Sequence, residues 1–211
     1  MGAGLLGALA LAALALGTLG SGRTGTVTAL QLSARWAYCF FWPAYVGGAL
    51  ASLWGAKFQG LARRGRELGL AFAAAMLVHL AMIIRIYAIS SRPPIPLQSA
   101  VYFGIGLAFA YLLALLSVPA LGTRLSPGGR RILFTVGMEY IALAFLRDFL
   151  HDPFDGSLRH LLGYLPFTTL AFGGLLLRGL MYAQRLRRGV IHRREVRSTR
   201  STGNAVSDFR R

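Results

Sequence analysis

Five side chains are costly to keep where this 211-residue sequence puts them. His79, Arg85, Glu139, Arg147 and Asp148 all fall inside long apolar runs. An ionisable group in such a run marks a functional position or a buried pair. An imidazole there can ligate a metal, or act as a neutral hydrogen-bonding link between helices, the commoner use of a lone histidine. His79 and Glu139 are expected at comparable depth on helices that run the same way, which makes them candidates to meet. Arg85 and Asp148 are candidates for a second pair nearer the opposite surface, and each pairing would relieve a buried charge. With Arg147 these residues make up an expected polar network.

Other chemistry-bearing residues carry weaker signals. His151, Asp152, Asp155 and His160 loosely resemble a metal cluster, but their spacing fits no strong ligand motif and reads as a solvated loop. His192 falls in a polar tail. Arg35 and Arg178 lie toward helix ends and are expected to extend to the interface, without a function. Cys39 is the single cysteine, so an internal disulfide is impossible and its default role is a small buried hydrophobe. Gly104-x-Gly106 lacks the third glycine and the preceding strand of a dinucleotide fingerprint.

The elements that must position these residues are apolar helices. Hydrophobic residues make up 55% of the chain and charged ones only 14%, well below the quarter or so typical of a soluble domain. About 20 apolar residues cross a ~30 Å hydrocarbon core. Six segments meet that need, approximately 3–20, 30–54, 68–89, 99–121, 132–150 and 161–182. Ser21-Gly22-Arg23, the stretch from Gly55 to Glu67, Arg92-Pro93-Pro94-Ile95-Pro96, Ser126-Pro127-Gly128-Gly129 and Asp152-Pro153 separate them, and proline breaks are the sharpest because they lack an amide donor. The first segment has no basic residue before Arg23 and a longer apolar run than a secretory leader, so it is expected to stay as a helix.

Sidedness follows from the arginines. With the N-terminus inside, the inner segments hold Lys57, Arg63, Arg64, Arg66, Arg124, Arg130, Arg131 and nine residues between Arg185 and Arg211; the outer loops hold Arg23, Arg92 and Arg159. The expected fold is therefore all-α, a polytopic membrane helix bundle of about six transmembrane helices over residues 1–182 with both termini cytoplasmic. Residues 183–211 form a basic tail, expected to be largely disordered and able to lie against anionic lipid. The net charge of +16 does not indicate nucleic acid, because the basic residues sit in loops and the tail and not on a soluble body.

Two arginine-to-helix junctions resemble the ferric-reductase-like transmembrane domain family. One is Arg63-Arg64-Gly65-Arg66-Glu67-Leu68-Gly69-Leu70-Ala71-Phe72, continuing to Leu77-Val78-His79-Leu80. The other is Gly129-Arg130-Arg131-Ile132-Leu133-Phe134-Thr135-Val136-Gly137-Met138-Glu139-Tyr140, followed by Ala144-Phe145-Leu146. Ser33-Ala34-Arg35-Trp36 and the aromatic run to Trp42 are similar to the preceding helix of bacterial members, and the likeness covers about residues 30–150. The resemblance implies a haem b held between helices by axial histidines, with His79 as a ligand, and electron transfer from a cytoplasmic flavin-type reductase or another membrane subunit in a bacterial inner membrane. This sequence departs from the family where the second junction usually ends in histidine, because Phe134 stands there and cannot ligate iron. With one membrane-embedded histidine the bis-histidine site is degenerate. The alternative is a non-enzymatic scaffold or sensor subunit held by a His/Arg/Glu network.

Overall fold

Glycine and proline end the helices where the sequence suggests they should. In the computed structural model, α1 (Gly2–Leu19) stops at Gly20 and α2 (Arg23–Trp54) stops at Gly55. Both glycines have positive φ, 80° and 73°, a region that a side chain would oppose. A 3-10 turn (Gly55–Phe58) and the short α3 (Gln59–Arg63) lead into α4 (Gly65–Ile89). The proline turn precedes α5 (Leu97–Leu116), α6 starts on a proline (Pro127–Leu150), and α7 runs over Leu158–Asp208. The structure describes residues 1–118, 121, 125–150 and 158–208, the last stretch with side chains over 162–188. Among the described residues there is no strand. Beyond Tyr182 the helix continues to Asp208.

Four helices are long and apolar enough to cross a membrane: α1, α4, α5 and the Leu162–Arg188 part of α7. The expected spans over 30–54 and 132–150 correspond to α2 and α6, which are not among them; α6 carries three charged residues, Glu139, Arg147 and Asp148, in its apolar stretch. The position of α2 accounts for its lower apolarity. α2 is the central helix, packed on α1, α4, α6 and α7, while α5 lies outside α6 and α4. A helix enclosed by others needs less lipid-compatible surface, and α2 accordingly buries Tyr38, Phe41, Tyr45 and Val46 almost completely.

Contacts fix the register of each pair. Ser33 is level with His79, and Phe41 with Phe72, so α2 and α4 are antiparallel. Tyr38 meets Phe149 and Tyr45 meets Glu139, so α2 and α6 are also antiparallel. Arg35 lies by Tyr164 and Trp42 by Leu170, which makes α2 and α7 parallel neighbours. Small residues bring α1 close: a Cβ on Gly4 would collide with the Ala71 carbonyl, and one on Gly7 with the Trp36 indole. Such close backbone approach is how apolar helices associate without a hydrophobic driving force.

Candidate functional site in the bundle interior

Glu139 on α6 is the centre of the largest polar cluster. Its Oε1 accepts from Arg178 Nε at 2.6 Å and from the Tyr182 hydroxyl at 3.1 Å, while its Oε2 accepts from the Tyr45 hydroxyl at 2.6 Å. Arg178 uses its remaining nitrogens on the Tyr45 carbonyl (3.2 Å) and the Tyr182 oxygen (2.6 Å), and its plane lies 4.6 Å from the Tyr45 ring centroid. Both charges are shielded, with 14% of the Arg178 side chain and 28% of Glu139 exposed. Short, charge-assisted bonds of this kind are among the stronger ones. They tie α2, α6 and α7 together at one level.

This overturns two expectations. Glu139 does not meet His79, because the two lie at different levels: His79 is level with Ser33 and Glu139 with Tyr45, which is about 18 Å further along α2. Arg178, read from sequence as an interface residue, is the partner of Glu139. The available signal was its position, 20 residues into α7 and well before the Arg185 cluster.

His79 faces α2. Its Nδ1 lies 3.2 Å from the Leu30 carbonyl and 3.1 Å from Ser33 Oγ, and Ser33 Oγ donates to the same carbonyl at 3.0 Å. A carbonyl oxygen only accepts, so Nδ1 carries the proton and Nε2 the lone pair. Ser33 is fully buried. The site is a helix-to-helix link of the kind that joins polar residues across a bundle.

Arg85 does not pair with Asp148. Its Nη2 donates to the Ser21 carbonyl at 2.7 Å and its Nε to Thr26 Oγ1 at 3.3 Å, so it holds the turn between α1 and α2. Arg147 lies over the Tyr102 ring of α5, 4.6 Å from the centroid. The five residues of the expected network therefore divide among several separate contacts. His151, Asp152 and Asp155 lie outside the described residues, as do the side chains of His160 and His192.

The residues present do not fit a haem bridged between α4 and α6. The space between those helices is filled by Phe41, Phe72 and Phe145, whose ring centroids lie 5.2 to 6.1 Å apart, with Tyr38 and Phe149 beside them. His79 is level with Ser33, whereas Phe134 lies five residues before Glu139, which is level with Tyr45. The two positions are thus about 25 Å apart along the axis at 1.5 Å per residue. Among the described residues, no three His, Cys, Asp or Glu side chains gather as a metal site. Comparison with protein-family models, curated proteins and solved structures finds no match.

Among the described residues, Arg35 Nε, Ser90 Oγ and the Tyr111 hydroxyl are buried without a hydrogen-bond partner. The Arg35 guanidinium lies 4.4 Å from the Tyr164 ring centroid and 5.8 Å from that of Phe167. Stacking on an aromatic ring returns about 0.5–2 kcal/mol.

Proposed function

We propose that this chain is a six-span membrane subunit of the bacterial inner membrane, with both termini cytoplasmic, that acts as a scaffold or sensor in assembly with another membrane component. The observation that carries this reading is the internal satisfaction of His79, Arg85, Glu139 and Arg178, each bonded to a neighbouring helix or turn. Groups used in this way join helices, and none of them is held ready for a substrate. At 32 and 24 residues, α2 and α6 are about 48 and 36 Å long, enough to cross a bilayer inside a ring of more apolar helices. The arginine asymmetry supports the cytoplasmic placement of the termini.

A second reading, membrane electron transfer with His79 as a haem b ligand and a flavin-type reductase as donor, is favoured by one observation. The Nδ1–H of His79 rests on a backbone carbonyl, an arrangement that orients a ligating imidazole and leaves Nε2 for iron. One spectrum separates the readings. Protein purified in detergent from haem-replete cells is expected to show no Soret band. A band that shifts with dithionite and disappears in His79→Ala would establish the electron-transfer reading instead.

A further inference from the structure

Nine basic side chains gather at one end of the bundle. Tyr45 of α2 sets the level of two of the helices that carry them, because its hydroxyl bonds Glu139 and its carbonyl accepts from Arg178. Arg131 lies eight residues before Glu139 on an antiparallel helix, and Arg185 seven beyond Arg178 on a parallel one. Both therefore come level with the last turn of α2, which ends at Trp54. Lys57 lies in the turn that follows. Arg63, Arg64 and Arg66 flank the start of α4, on the segment that folds back against Gly47, where an added Cβ would meet Leu61 and Ala62. Arg130, Arg187 and Arg188 complete the nine, and all are exposed. Two apolar spans end here, one beginning at Gly65 and the other finishing at Arg188.

The chain's own acids are too few to neutralise them. Among the described residues the only acid at this end besides Glu139, which is held by Arg178, is Glu67. Among the same residues no ion pair or side-chain hydrogen bond engages any of the nine, and their one ring contact is Arg130 over Phe134 at 5.8 Å. The segment beyond Arg188 brings Glu195 and Asp208 but six further arginines, so it adds to the excess of positive charge. Asp152 and Asp155 fall between Leu150 and Leu158, the ends of α6 and α7 remote from Arg131 and Arg185.

We propose that this end of the bundle is a binding collar for anionic phospholipid headgroups, its guanidinium groups meeting phosphate oxygens. The inference goes beyond the assembly reading, since a scaffold and an electron carrier could equally possess such a surface. Apolar neighbours select lipid over a soluble acidic partner. Ile132 beside Arg131 is 66% exposed, Leu186 between Arg185 and Arg187 is 72% exposed, and Trp54 is 54% exposed. An acidic protein or a nucleic acid arriving from water would leave these side chains wet. A phospholipid covers them with its acyl chains and offers its phosphate at the adjoining level. Tryptophan at the end of a span takes up that boundary position, and arginine extends along the aliphatic layer to present its fork to phosphate. The choline cation of phosphatidylcholine offsets its phosphate, so the excess charge favours lipids with a net negative headgroup.

The test places the full chain in vesicles and reads tryptophan quenching by lipids with brominated chains, with Trp54 reporting from the collar. Phosphatidylglycerol is expected to bind beside the protein about fivefold more tightly than phosphatidylcholine. That preference should weaken as salt rises from about 0.1 to about 0.5 M. Arg130→Gln with Arg131→Gln, and separately Arg185→Gln with Arg187→Gln and Arg188→Gln, should each cut it by about half or more. All five positions are exposed, so neither variant threatens folding, and the corresponding lysine changes should keep the preference because they keep the charge. Arg23→Gln with Arg92→Gln, exposed at the other end, should leave it unchanged. Equal binding of the two lipids, indifference to salt, or a preference that survives both collar variants overturns the proposal. An equal loss in the Arg23 and Arg92 variant also overturns it, by making total charge the cause. Two other outcomes do the same: displacement of phosphatidylglycerol by inorganic phosphate at constant ionic strength, which would mark a free-phosphate site, and arginine-dependent capture of polyglutamate or duplex DNA without a lipid preference, which would mark a soluble partner. A haem spectrum together with a retained lipid preference would instead sink the scaffold reading and leave the collar standing.

Discussion

The guanidinium of Arg85 on α4 donates to the carbonyl of Ser21 at 2.7 Å, so α4 clasps the turn that joins α1 to α2. Hydrogen bonds to a charged group contribute about 1.5–3 kcal/mol. Arg85→Leu should therefore loosen that turn without unfolding the bundle. Trypsin cleavage after Arg23 in detergent should speed up several-fold relative to the parent protein. An unchanged rate would show that the clasp does not hold the turn.

The seating of α1 depends on glycine at position 4. The indole of Trp36 donates to the Gly4 carbonyl at 3.1 Å, and any side chain on Gly4 would meet the backbone of Ala71. Backbone cannot yield as a flexible side chain can, so Gly4→Leu should cost about 3 kcal/mol or more by displacing α1. Gly2→Leu is the control, since nothing lies within 4 Å of the Cβ it would add. If thermal melts of the two variants coincide, α1 is not packed as described.

A paired substitution tests the α2–α7 contact. A Cβ on Gly174 would come within 3.2 Å of both Trp42 Nε1 and the Tyr45 ring, whereas one on Gly173 would meet nothing. The same close approach lets Trp42 donate to the Leu170 carbonyl at 2.7 Å. Gly174→Val should cost about 1–3 kcal/mol and change the tryptophan emission. Gly173→Val should leave both nearly unaltered.

His79 and Ser33 should behave as a modest link. Interhelical polar bonds of this type average under about 1 kcal/mol and reach about 1.7 kcal/mol. His79→Leu is expected to lower stability within that range, and Ser33→Ala by less, because Nδ1–H keeps the Leu30 carbonyl. A loss of several kcal/mol for either, measured by unfolding in mixed micelles, would point to a larger role.

The all-helical bundle was legible from the apolar runs and their breaks. The runs at 68–89 and 132–150 match the body of α4 and α6, and the Pro93-to-Pro96 turn and Ser126-Pro127 fall at element boundaries. The side-chain partners were not legible. Hydropathy bounds a span but fixes neither the stagger of neighbouring helices, nor the rotation of a helix about its axis, nor which helix is central. His79 and Glu139 were therefore set level with one another, although the register on α2 places them at Ser33 and Tyr45, about 18 Å apart. Arg178 was misjudged for the same reason: counting from the helix end placed it at an interface, and only the register against α2 and α6 shows that it lies inside.

The account depends most on the claim that charges within the bundle serve to join helices, and a double-mutant cycle on Glu139 and Arg178 tests it directly. Glu139→Leu and Arg178→Leu should each cost about 2–4 kcal/mol, because each leaves the other charge shielded and unpaired. The double variant should cost far less than their sum, giving a coupling of at least about 1.5 kcal/mol. Losses that simply add, or single variants that are neutral, would contradict the account.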